Sequence, residues 1–182
     1  SIVMQARFKY TSTATQPSAL YLFGGDADHY IWKEIQEQCT AHDNDDKLNF
    51  DIFMAPHHCS WTYFNNVPYI NGETDKPAES SKTMIKDHKT NGAVIIASSK
   101  QIKKDKDNPP HHQSKEEYVK LIGADKFISL AEEPDSKKPK PVIYEVTSSG
   151  FLRKDKNQQK GSTGAAIGSS STSGRKSAYG CK

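Results

Sequence analysis

Cysteine, long apolar runs and glycine-rich phosphate loops are all scarce in this 182-residue chain, and each scarcity removes a class of protein. The cysteines, Cys39, Cys59 and Cys181, are odd in number and nowhere spaced CxxC. That excludes a disulfide framework and a cysteine zinc knuckle, and it fits a reducing, cytoplasmic setting. No apolar stretch approaches the roughly 20 residues that cross a bilayer, and no basic segment followed by an apolar one opens the chain, so the sequence reads as soluble with no membrane contact. The nucleophile elbow GxSxG is missing, and "GSTGAAIG" lacks both the Lys-Ser/Thr ending and the strand-to-helix setting of a phosphate loop. Apolar content is thin as well: 34% hydrophobic residues, 26% charged and a mean hydropathy of −0.79 describe a folded region diluted by long polar segments.

The charge that is present is mild. A net +3 and a pI near 8.6 permit contact with nucleic acid without the concentrated basic footprint of a dedicated binder. The lysines cluster in "KQIKKDKD", "DSKKPKP" and "RKDKNQQK", interleaved with acids or prolines, the pattern of solvated loops.

Hydrophobic periodicity gives an α/β order. The chain starts without methionine directly on a loosely alternating strand near Ile2–Tyr10, as if cut from something longer. A strand over Ala19–Gly24 is followed by a helix with Tyr30, Ile31, Ile35 and Cys39 on one face and Asp28 as its cap. The strand "LNFDIFMA" stops at Pro56, and a long aromatic, turn-rich loop leads to a helix over Glu79–Thr90. Asn91-Gly92 then turns the chain into the buried strand "AVIIASS". "SKEEYVKLIG" has Ser114 as N-cap and Glu117 in the capping-box position, and "KFISLAE" and "PVIYEVTSSGFLRK" supply two final strands. Residues 1–160 read as one domain, and 161–182 as a flexible Gly/Ser-rich tail.

Two strands end in chemistry. "LYLFGGDAD" closes on acidic residues and "DIFMAPHHCS" on imidazoles, and groups just past the carboxyl ends of strands gather at one rim of a sheet, where ligands bind. With "SIVMQARF", "GAVIIASS" and "NPPHH" ahead of a helix, these segments resemble the carboxyl-terminal half of a metallo-β-lactamase fold. They are most similar to the hydrolase domain of DNA-uptake competence proteins, and the resemblance covers about Ser1 to Lys154.

The resemblance implies a four-layer αββα sandwich, a mixed sheet with flanking helices, and one or two zinc or manganese ions used to hydrolyse esters, amides or phosphodiesters. It places Asp26 on the family's metal-bridging carboxylate and the His57-His58 pair on the imidazole that completes the second metal. Asp26 and His58 are thus the candidate catalytic residues, and Asp26, His57 and His58 the candidate metal ligands. Adjacent residues on an extended chain face opposite ways, which favours His58 as the ligand with His57 behind it or on the substrate. The substrate class that the resemblance implies first is a phosphodiester in nucleic acid.

Three departures stand against the pattern. The signature His-x-His-x-Asp-His is absent, as is the histidine that precedes the Gly-Asp strand, so the chain holds at most half a site. It is expected to be inactive until an amino-terminal half or a partner chain covers its sheet. Cys59 stands where the branch has glycine, and Asp28 follows two residues after Asp26, where a functional reading sets it in support of the carboxylate. A degenerate module serving as an interaction or nucleic-acid-binding surface is the alternative. His111-His112, at another strand-to-helix turn, could reach the same rim, while His29, His42 and His88 read as exposed; a Cys59/His58 nucleophile is disfavoured because adjacent side chains at a strand end seldom meet.

Overall fold

The computed structural model describes residues 1–69 and 76–154. Five strands form a mixed sheet in the order β1-β2-β3-β4-β5: Met4–Phe8, Ala19–Phe23, Phe50–Met54, Lys89–Ala97 and Phe127–Ser129. β1 pairs antiparallel with β2, and all later pairings are parallel. Three helices make the crossovers, α1 (His29–Ala41), α2 (Glu79–His88) and α3 (His112–Ile122). Successive right-handed crossovers that step in one direction along a sheet put their helices on one face. Accordingly Trp32 of α1, Met84 and Ile85 of α2 and Tyr118 of α3 share a single core with Leu22, Phe53 and Ile95 of the strands.

The aromatic, turn-rich segment after β3 forms no α-helix or strand among its described residues before α2, but its aromatics are part of the core. Trp61, Tyr63 and Phe64 are fully buried in that core, and burying each contributes about 1.5–3 kcal/mol. On helix α1, Ile35 and Cys39 of the expected face do pack against the core, but its fully buried residue is Trp32, while Tyr30 is 63% exposed. Its cap is as expected, with Asp28 Oδ1 accepting from the backbone N–H groups of Tyr30 and Ile31.

Three local expectations fail for identifiable reasons. Asn91-Gly92 makes no turn: β4 starts at Lys89, straight after α2, and the glycine's φ of +82° sits in a bulge where the register to β3 shifts. Ser114 is no cap, because α3 begins two residues earlier at His112 and buries that serine against the core side. "PVIYEVTSSGFLRK" is a hairpin of β6 (Tyr144–Thr147) and β7 (Gly150–Arg153) instead of one strand.

This hairpin lies on the sheet face opposite the helices, where Val142, Tyr144 and Phe151 pack on Ile52, Val94, Ile96 and Ile128. Of the four layers expected, the described residues thus form a helical layer, a five-stranded sheet and a two-stranded sheet. The hairpin covers the β1–β2 side of that face only in part: Tyr21 packs on this cluster and Phe8 lines a cavity with Val146 and Phe151. Register puts Met4 opposite Phe23 and Phe8 opposite Ala19, and Met4 and Phe8 remain 51% and 44% exposed. No described helix is long and apolar enough to cross a membrane. The proposed tail, with Cys181, lies outside the described residues.

Candidate metal centre

The carboxyl ends of β2, β3 and β4 lie side by side, because these strands are parallel neighbours. β2 ends in Gly24-Gly25-Asp26, and both glycines are sterically required. A Cβ on Gly24 would lie 2.5 Å from Pro56 Cγ, and one on Gly25, whose φ is +53°, would lie 2.4 Å from the Ile2 carbonyl oxygen. Asp26 is therefore held out at the rim, exposed, between buried Gly24 and buried Ala27. Asp28 is committed elsewhere: besides capping α1, its Oδ2 accepts from Asn66 Nδ2.

β3 ends differently from the extended strand the sequence implies. After Pro56 the chain enters a left-handed turn in which His57, His58 and Cys59 have φ of +46°, +54° and +68°. For residues carrying a Cβ this costs about 1–2 kcal/mol each, so the surroundings must hold it in place. They do so with the backbone: His57 N–H donates to Gly25 O at 2.8 Å, Cys59 N–H to Pro56 O at 3.1 Å and Ser60 N–H to His57 O at 3.0 Å. Cys59 adopts the conformation of the glycine expected there. The imidazoles of His57 and His58 are 6.4 Å apart, inclined at 57°, and the opposite-facing argument drawn from an extended chain does not apply.

His58 is distinguished by its partner. Its Nδ1 lies 2.5 Å from the carbonyl oxygen of Ser98, just past β4. A carbonyl only accepts, so Nδ1 carries the hydrogen, and in the neutral ring Nε2 is then the nitrogen with the lone pair, the arrangement by which metal-binding histidines are commonly oriented. Asp26, His57, His58 and Ser98 line one depression of about 370 Å³, with Ile2 and Met4 as apolar wall. A second depression, about 320 Å³, shares His58 and Ser98 and adds Ser99, Lys100, Pro109 and Pro110. Lys100 is ion-paired with Asp107 at 2.5 Å, and that contact raises its ammonium above the ordinary lysine value. The strand end "ASSK" is a feature the sequence reading passed over, although the rule that ligands gather at carboxyl ends of strands points to it.

Asp26 and a histidine Nε2 are suitable donors in type for zinc or manganese. They are too few to close a shell: among the described residues no three His, Cys, Asp or Glu side chains converge in a metal-holding group.

The remaining candidates separate cleanly. Cys59 is fully buried, and burial pushes its thiol up to about 12 against the opposing charge of Lys115, so it is no thiolate nucleophile at neutral pH. The loop carrying His111 does reach the rim, since its backbone N–H donates to Cys59 O at 2.9 Å. Its ring is buried between Trp61 and Tyr69, and neither His111 nor His112 lines the two depressions that contain His58. His42 is exposed as expected, His88 is half-buried, and His29, expected in solvent, is buried at the start of α1.

Comparison of the chain with family models, curated proteins and solved structures finds no match.

Proposed function

We propose that this chain is the carboxyl-terminal half of a metal-dependent hydrolase of the metallo-β-lactamase type, acting on phosphodiesters and in particular on nucleic acid. The observation that carries this reading is the shared depression. Asp26 and His58 come from the ends of adjacent parallel strands, and His58 is fixed through Nδ1 with Nε2 left as a donor. Asp26 and His58, with His57 beside them, would supply part of the ligand set of one or two zinc or manganese ions, the other donors coming from the missing half. When bound, such ions supply a Lewis acid and lower the pKa of water toward neutrality.

The chain's own residues supply the rest. The Asp26 carboxylate lends negative charge at an exposed rim, and Ile2 and Met4 limit water on one side. Ser99 and Lys100, the latter paired with Asp107, give the adjoining depression a polar edge. The partly covered face at Met4 and Phe8 is where an amino-terminal half or a partner chain would pack and bring the missing donors.

A second reading, in which the chain is a degenerate, non-catalytic module whose surface binds a protein or nucleic acid, rests on the absence of His-x-His-x-Asp-His from these 182 residues. Hydrolysis of single-stranded DNA and of a generic phosphodiester by the complete protein, with zinc or manganese titrated in, separates the two. The hydrolase reading expects metal-dependent turnover that Asp26→Ala abolishes without loss of fold. Undiminished turnover in that variant would remove Asp26 from the chemistry, and absence of turnover at every metal concentration would favour the binding module.

A further inference from the structure

We infer that Asn108 is a positioning residue that sets the orientation and tautomer of the His58 imidazole from the loop between β4 and α3. The inference rests on the reading of His58 as the metal-facing histidine. Asn108 Oδ1 accepts from Ser60 Oγ at 2.8 Å and from the Trp61 backbone N–H at 3.0 Å, the residues two and three places after His58. The N–H donor at Trp61 fixes which end of the amide faces the turn. Three residues further on, the His111 backbone N–H donates to Cys59 O at 2.9 Å. The same loop starts at Ser98, whose carbonyl holds His58 Nδ1. One loop therefore grips the ring at its beginning and the chain behind the ring at its end.

The grip is needed because of the turn it closes on. His57, His58 and Cys59 are all left-handed, a conformation side-chain-bearing residues leave when released. The turn's internal bonds reach back to Pro56 and Gly25, and the bonds that reach Cys59, Ser60 and Trp61 from the β4–α3 loop are those of Asn108 and His111. Asn108 is itself exposed, so its amide is not retained for burial. Without its Oδ1, Ser60 and Trp61 lose their common acceptor, the turn relaxes, and His58 drifts from Ser98 O. The ring then samples both tautomers, and Nε2 no longer points at a fixed place.

The test is made on the full chain, without metal and then with zinc. Long-range ¹H–¹⁵N spectra of the imidazole read the tautomer, and zinc titration reads the consequence. The native chain should show His58 as the Nδ1–H form. Asn108→Ala should mix the tautomers and weaken zinc binding by about tenfold or more, the usual effect of removing a group that orients a ligand. Asn108→Asp, which keeps an acceptor oxygen in place, should restore the tautomer, and Asn108→Gln, which displaces the amide by one methylene, should not. A native His58 signature in folded Asn108→Ala would overturn the inference. Unfolding of both Asn108→Ala and Asn108→Gln with Asn108→Asp native would also overturn it, by making Asn108 a support of the fold at large. Should the native chain bind no zinc while Asn108→Ala still changes the tautomer, the positioning role stands and the metal reading falls.

Discussion

His58 Nδ1 and the carbonyl oxygen of Ser98 stand 2.5 Å apart, joining the left-handed turn after β3 to the end of β4. This contact makes His58, and not its neighbour, the ordered imidazole of the pair. His58→Ala should weaken zinc or manganese binding by tenfold or more while costing the fold about 1 kcal/mol or less, since the ring is exposed and gives up one hydrogen bond. His57→Ala should weaken binding less. Calorimetric titration beside thermal melts checks both, and equal losses in the two variants would dissolve the distinction.

Cys59 gives a test of the turn itself. Its φ of +68° suits glycine, so Cys59→Gly gains about 1–2 kcal/mol of relieved strain and loses a comparable amount of thiol burial, for a net change within about 1 kcal/mol. Cys59→Val places a β-branched side chain in the same conformation and should destabilise by roughly 2 kcal/mol or more. Denaturant unfolding measures both, and a valine variant as stable as the native chain would show that the turn is not left-handed in solution.

The partly covered sheet face predicts dye binding. With Met4 and Phe8 half exposed beside Phe23 and Tyr21, the chain should bind ANS in its native state, and the pair Met4→Gln and Phe8→Gln should reduce the fluorescence without lowering the melting temperature. A monomeric chain indifferent to ANS would mean the face is closed by means other than a partner.

Acid should loosen the loop that holds the rim. Burial keeps the His111 imidazole below the ordinary histidine value, and neighbouring His112 adds to this while Asp105 opposes it. A depressed histidine contributes stability that is complete above its unfolded value near 6.5 and is lost as pH falls through its folded value. The melting temperature should therefore drop between about pH 7 and about pH 5. His88, lowered chiefly by burial, adds to the drop with the same sign. His111→Phe keeps a ring between Trp61 and Tyr69 and should flatten the drop; an equal fall in the variant would assign it to other groups.

Elements bounded by strong local signals were legible in the sequence. β2, β3 and the Asp28 cap follow from apolar runs closed by Gly-Gly-Asp and by Pro56, and these also locate the candidate site. The misread places share a cause, namely that tertiary packing overrode a local pattern. Trp32 displaced Tyr30 as the inward face of α1 because the aromatic cluster of Phe53 and Tyr63 lies on that side. Asn91-Gly92 became a bulge because β4 had neighbours to pair with on both edges. The left-handed His57–Cys59 turn had no signal beyond the glycine that the resemblance puts at Cys59, since residues with side chains rarely adopt it and hydrogen bonds to Gly25 and to the Asn108 loop, distant in sequence, hold it there.

The contact between Ile2 and Gly25 has a practical side. Because the Ile2 carbonyl lies where a Gly25 Cβ would be, and Ile2 and Met4 wall the depression of Asp26 and His57, the stretch from Ile2 to Met4 runs along the site itself. Any polypeptide fused ahead of Ser1, an affinity tag included, starts its path on that wall. Comparing metal binding before and after a tag is cleaved from this end thus measures how much covering the rim tolerates.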